Sequence, residues 1–303
     1  MSILRTADRR SFLAGMAAGA VAGTVTVNSA AAAPTGDAAT APTIQEVIDR
    51  IIKDTTGTPV KDTIDTVKAG DPSRKVTGIV TTFLATIPVI NKTREIGANL
   101  LITHEPTFYE HADNVQTLLG DPVYETKHRL IQETGITIWR FHDYWHLHKP
   151  DGIINGLARR LDLKQINPDN KRLYNTTEST FEELCLKCKE RLGIERLMAV
   201  GDPRMRCRRV GLFAGWGGAM GGEQIELLSR QGMDVVICGE TAEWTSCEYA
   251  RDATAARLNK GLIVLGHAHS EEPGMEDAAE WLRKRFPNVK IAHVRASTPF
   301  RFI

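Results

Sequence analysis

Three short clusters of imidazole and carboxylate residues, each following an apolar run, carry the chemistry of this 303-residue chain. They are Thr103-His104-Glu105, then His142-Asp143-Tyr144-Trp145-His146-Leu147-His148, then Gly266-His267-Ala268-His269-Ser270-Glu271-Glu272. Nine histidines are ordinary usage. Their place at the exits of expected strands is not, because an open α/β sheet binds ligands beyond the carboxyl ends of its strands. Imidazole nitrogen and carboxylate oxygen suit zinc, manganese, iron or nickel rather than a soft, thiolate-bound metal.

Neighbouring side chains on a strand point to opposite faces, so His104 and Glu105 reach one site only where the strand ends and the chain turns. Pro106, which cannot donate to a ladder, marks that end. His267 and Glu271 are four residues apart and share a face on one helical turn, where a carboxylate can bridge two cations. His104, Glu105, His146, His267 and Glu271 are too many ligands for one catalytic zinc with an open position. Two ions sharing Glu271 is the expected arrangement. Asp143 is placed to orient an imidazole. Glu105, His142 and His269 are expected to move protons, and His142, His148 and Glu240 to meet substrate.

These clusters need a sheet to hold them. Short apolar segments at Val76–Thr81, Asn99–Thr103, Ile136–Phe141, Leu197–Val200, Arg209–Phe213, Val235–Cys238, Leu262–Leu265 and Lys290–Val294 read as strands. Helices are expected at Ile44–Lys53, Ile87–Ile96, Val123–Glu133, Gly152–Leu161, Ser179–Arg191, Gly222–Arg230, Cys247–Leu258 and Met275–Lys284. The alternation predicts an α/β fold. A seam is expected between Asp162 and Asn175, where Lys, Asn, Asp and Pro crowd together. The glycine-rich run Gly215–Gly222 reads either as a tight packing turn or as an anion contact at a helix start.

Residues 1–33 stand apart. Arg9-Arg10 precedes a weakly apolar Ala/Gly/Val stretch and the small residues Ser29–Ala33, the pattern of a twin-arginine export signal. The expected product is periplasmic or extracellular. The apolar stretch falls short of the about 20 residues of a membrane span, so no stable span is expected after processing. The mature chain keeps roughly 265 residues, enough for one large core or two small ones. With 38 basic and 37 acidic side chains and no basic patch, nucleic acid is excluded as a partner. Cys185 and Cys188 have zinc-like spacing but no second close pair, so helix-face thiols or one disulfide are expected from the five cysteines.

Several segments together resemble the NIF3-like (DUF34) family: ITHEPTFY from Ile102, RFHDYWHLHKPDGIINGLARRL from Arg140, GLFAGWGGAMGG from Gly211, GMDVVICGE from Gly232 and LGHAHSEE from Leu265. They fall in the family's order between Gln45 and Ile303. The resemblance carries the first family histidine onto His104, the second onto Glu105, the histidine opening the second block onto His142, the aspartate ligand onto His146, and the last pair onto His267 and Glu271. Two positions depart from the pattern, a His having become Glu105 and an Asp His146, with total ligand charge kept. The resemblance implies a two-lobed fold with mixed sheets flanked by helices, assembled as a toroidal hexamer. The first lobe would comprise residues 42–165 with 262–303, and the second 175–261.

A dinuclear metal-dependent hydrolase acting on a small molecule through metal-activated water is the expected function. The alternatives are a non-catalytic metal-binding or metal-delivery protein and an assembly scaffold that metal stabilises. Some family members are labelled GTP cyclohydrolase-like; GTP is an awkward substrate for an exported protein.

Overall fold

The computed structural model describes residues 41–303, and the expected export signal lies outside them. Among the described residues, eleven strands form two sheets. The first contains β1 (Val67–Ala69), β2 (Ile79–Thr82), β3 (Leu100–Thr103), β4 (Thr137–Arg140) and β11 (Ile291–His293), in the order β1-β4-β3-β2-β11. All its neighbours are parallel except β1, which runs antiparallel to β4. The second contains β5 (Lys164–Gln165), β6 (Leu173–Thr180), β7 (Met198–Val200), β8 (Arg206–Leu212), β9 (Val235–Cys238) and β10 (Gly261–Val264), in the order β5-β6-β8-β9-β10-β7. Here β8, β9 and β10 are parallel and the outer strands antiparallel.

The parallel strands are short apolar runs because both of their faces are covered. Along β2 and β3, Ile79, Leu100 and Ile102 face one core, while Val80 and Leu101 face another with α2 (Ile87–Ile96) and α3 (Pro122–Thr134). Along β9 and β10, Val235, Ile237 and Ile263 face the first core. Their neighbours Val236, Cys238 and Leu262 pack with α7 (Gly222–Ser229) and α8 (Glu248–Ala255). The shared core lies between the sheets and is filled by α1 (Ile44–Thr55), α4 (Asp143–Leu147), α5 (Gly152–Arg160), α6 (Phe181–Leu192) and α9 (His267–Arg285). The layers run helix, sheet, helix, sheet, helix, a mixed α/β fold with sheets flanked by helices.

Helices α5 and α9 pack closely at paired glycines. A Cβ on Gly156 would lie 2.6 Å from the Gly274 Cα, and one on Gly274 2.7 Å from the Ile153 Cα. That approach locates α9, whose first turns carry His267 and Glu271.

Several elements differ from expectation. Helix α9 begins at His267 rather than Met275, running through Pro273; Pro273 and Gly274 are intrinsic helix breakers, and close packing of the segment overrides them. Residues expected as a seam lie where the chain passes from the first sheet to the second, and they carry the β5–β6 hairpin, with Lys164 opposite Asn175 and Gln165 opposite Tyr174. Strand β10 belongs to the second sheet, so the chain returns to the first only beyond Val264. Among the described residues no helix is long and apolar enough to cross a membrane.

Candidate metal centre

The carboxyl ends of β3 and β4 in one sheet and of β8 and β10 in the other open on the same cleft, about 600 Å³ in volume. From β3, His104 is fully buried and Glu105 follows it. Arg140, at the end of β4, ties both down: its Nε donates to the His104 carbonyl at 3.0 Å and its Nη2 to Glu105 at 3.2 Å.

The second cluster is not a loop. Its residues form the short helix α4, which His142 precedes, placing His142 and His146 on one face. Buried Asp65 organises the start, accepting from the backbone N–H of His142 at 2.8 Å and of Tyr144 at 2.9 Å. The rings of His104, His142 and His146 gather with centroids 4.6–5.1 Å apart.

In each of the three rings Nδ1 meets an acceptor: the Phe141 carbonyl at 3.2 Å for His104, Asp143 at 2.9 Å for His142, and Asp151 at 3.2 Å for His146. A proton held at Nδ1 leaves the Nε2 lone pair free to bind an ion. Asp143 is itself fixed by the Thr63 hydroxyl at 2.8 Å. Asp151 also caps α5, accepting from Ile153 and Ile154, and takes a 2.5 Å bond from Lys171.

From α9, His267 and Glu271 complete the group. Glu271 Oε2 lies 3.4 Å from His104 Nε2 and 3.3 Å from His267 Nε2, and His267 Nε2 is 3.5 Å from Glu105. The turn after β8 closes over them. Gly215 sits at φ +53°, and a Cβ there would lie 2.1 Å from Glu271 Oε1 and 2.7 Å from His267 Nε2. Glycine is required by that approach, so close packing is one role the glycine run fulfils.

Two groups have ligand atoms all within 4.8 Å of one another: His104, His142 and His146, and His104, Glu105 and Glu271. The clusters can therefore hold metal. The fit is chemical as well as geometric. His104 Nε2, His267 Nε2 and Glu271 Oε2 are buried without a hydrogen-bond partner. Leaving such groups unpaired is costly, and a divalent cation satisfies all three.

The charge states agree with this. Burial, then His142 and His146, hold His104 well below the usual imidazole range; burial and His146 likewise lower His142. Burial works against protonation of His146, but Asp151 outweighs it and raises the pKa. Burial also opposes charge on His267, yet Glu105 and Glu271 outweigh it and push the pKa up to about 11. Burial raises Glu271, whereas at Glu105 the burial effect is overcome by His267, His142 and Arg140. At pH 7 a divalent ion must then displace the His267 proton, while neutral His104 and His142 have none to lose. Loading is expected to release about one proton from His267, with an added fraction from His146, so affinity falls as pH drops. Titration calorimetry in two buffers of different ionisation enthalpy reads this number; heats independent of buffer would contradict it.

The five expected ligands, His104, Glu105, His146, His267 and Glu271, are thus brought together, and His142 stands beside them. Glu240, at the end of β9, meets the other side of His267, its carboxylate 3.4 Å from Nδ1. His148 and His269 lie elsewhere. Each is two residues from an inward-facing histidine on a helix, about 200° around it. His148 bonds to the Pro150 carbonyl and packs beside Trp145 and Trp281; His269 Nδ1 faces the Leu265 carbonyl. Sequence reasoning missed Asp65, Arg140, Asp151 and Lys171. Of these only Asp151 had a signal, as the acidic residue opening α5, and that signal concerned the helix.

Comparison with known proteins gives a consistent result. The family model for Duf34/NIF3 (NGG1p interacting factor 3) matches residues 48–299. A Clostridium perfringens protein named GTP cyclohydrolase 1 type 2 homolog is 26% identical over 270 residues, covering 84% of this chain and 97% of that protein. A Clostridium acetobutylicum protein of the same name is 27% identical over 241 residues, covering 74% and 84%. Among solved structures, Staphylococcus aureus protein SA1388 superposes with a TM-score of 0.68 at 18% identity, covering 88% of this chain and all of that one. Reduced HcgD from Methanocaldococcus jannaschii gives 0.60 at 17% identity, covering 83% and 97%.

Proposed function

The chain belongs to the Duf34/NIF3 family, and from that premise we propose that it is a hydrolase whose cleft floor holds two divalent transition-metal ions. The observation that carries this is the convergence of the partnerless buried atoms of His104, His267 and Glu271 at the bottom of an open cleft. His104, Glu105 and Glu271 would hold one ion, with His267 beside them, and His104 and His146 would hold the other, with His142 in reach. When bound, such a pair supplies Lewis acidity toward a carbonyl or phosphoryl oxygen and toward water.

The chain's own groups do the rest. His142, held by Asp143 and kept neutral, takes a proton at Nε2 from the attacking water. The water oxygen bonds to the carbonyl carbon or phosphorus, the bond to the leaving group breaks, and the leaving group is protonated in turn. Lys171, paired with Asp151, and Arg172, paired with Glu223, line the cleft, and their remaining N–H donors can meet an anionic group on the substrate. The name of the clostridial relatives supports hydrolysis as the reaction class. It does not bring GTP with it, because we also propose export by the twin-arginine route on the strength of Arg9-Arg10 and the apolar segment after it. A toroidal hexamer is proposed on the family resemblance alone.

Protein loaded with zinc, manganese, iron or nickel should turn over at least one member of a phosphoester and amide panel. His142→Ala should lower kcat by about 10²–10⁴ with metal content retained, the usual weight of a general base. Bound, exchangeable metal without turnover on any substrate would instead assign the protein to metal delivery.

A further inference from the structure

A second cleft, about 690 Å³ in volume, meets the metal centre at Glu105 and His267. Its character differs from that of the first. Four of the chain's exposed large apolar side chains line it, Tyr109, Met198, Trp216 and Phe300, with exposures of 58, 60, 62 and 76%. Phe83 forms the wall nearest the centre, its ring 5.5 Å from that of His267. Soluble proteins seldom gather exposed apolar groups in one concavity without a ligand or partner for them.

Trp216 is the residue common to both clefts besides Glu105 and His267. It stands on the glycine turn between Gly215 and Gly217, directly after the glycine that packs on Glu271 and His267. The indole thus stands at the junction between the cleft of histidines and carboxylates and an aromatic one. Flat apolar surface presented this way gains most from a flat partner, because aromatic faces stack.

Building on the hydrolase proposed above, we propose that the second cleft binds a planar aromatic portion of the substrate, with Trp216 as the specificity-determining residue that stacks on it. The scissile group then lies at Glu105 and His267, and any anionic group extends toward Lys171 and Arg172. The occupant is a small molecule because the cleft is continuous with the metal centre and has the size of a ligand site.

The test uses metal-free full-length protein and two probes that cannot be hydrolysed, 2-naphthol and its saturated analogue decahydro-2-naphthol. Failure of the hydrolase assignment therefore leaves the result readable. Titration should show 2-naphthol binding about tenfold more tightly than the saturated probe, and Trp216→Ala should remove about that factor for 2-naphthol alone. Trp216→Phe should retain most of it. Equal affinity for the two probes, or 2-naphthol binding unchanged in Trp216→Ala, would overturn the proposal. So would loss of oligomeric mass in Trp216→Ala with 2-naphthol binding intact, which would mean that a second copy of the chain covers this face.

Discussion

Glu271→Gln should abolish two-ion loading and yet leave the chelated protein at least as stable as the wild type. The two effects share one cause. Glu271 is 3% exposed, its Oε2 has no hydrogen-bond partner, and burial raises its pKa, so the carboxylate is held in an unfavourable place in the metal-free protein. A neutral amide of the same shape removes that cost, and Glu105, 3.5 Å from His267 Nε2, remains as the partner of that imidazolium. The amide also removes the one negative oxygen lying between His104 and His267, and with it the compensation for two cations held close together. Wild-type protein at a hundredfold excess of metal over Kd should gain about 2.7 kcal/mol of stability for each ion bound. For a chain of this length that is about 5–10 °C in Tm per ion. Glu271→Gln should show no such gain, with a chelated Tm equal to or above that of wild type. A full metal-induced rise in the variant would remove Glu271 from the centre.

Gly215→Ala should damage the same centre from the opposite wall. Alanine at φ +53° costs about 1–2 kcal/mol from backbone strain, and overpacking a filled site adds about 1–3 kcal/mol. The new methyl would lie 2.1 Å from Glu271 Oε1, so either the turn lifts off or the carboxylate swings away. Metal affinity should fall at least about tenfold along with stability, since a displaced ligand weakens binding as a lost supporting group does. Gly222→Ala is the control within the same glycine run. A Cβ there meets nothing within 4 Å, and as a helical position it should be neutral or stabilising by about 0.5–1 kcal/mol. Denaturant unfolding and metal titration of the pair separate a crowded turn from a general need for glycine.

Much of the centre was legible because strand ends announce themselves. The apolar runs before His104, Glu240 and His267 are short, and Gly or Pro lies within two residues of each of these side chains, so the chain must turn where the chemical residues begin. The pairing of His267 with Glu271 followed from helical spacing even though the helix itself was placed eight residues late. Pro273 and Gly274 disguised its start, and only contact with Gly156 explains why the helix forms there. Helix α4 was hidden for a different reason. Five residues carry too little periodicity to register, and without it His148 could not be separated from His146.

Of the groups that support the centre, Asp143 was legible beside His142, and the more distant ones were not. Asp65, Arg140 and Lys171 reach it across 77, 36 and 20 residues of chain respectively, through hydrogen bonds to His142, the His104 carbonyl and Asp151. Nothing in their local sequence differs from that of an ordinary surface charge. Strand β6 was missed because Leu173–Thr180 is mostly polar and pairs on both sides, so its stability comes from the ladder rather than from apolar residues. Asp151 is instructive because one carboxylate caps α5, orients His146 and pairs with Lys171, and sequence reasoning saw only a helix start.

Crystals grown with a single divalent transition metal and measured on both sides of its absorption edge provide the most direct test. Two anomalous peaks per chain are expected, one within coordination distance of Glu105 and Glu271 and the other within that of His146. A map with no peak in this cleft, or with a single ion that Glu271 does not touch, would contradict a shared dinuclear centre.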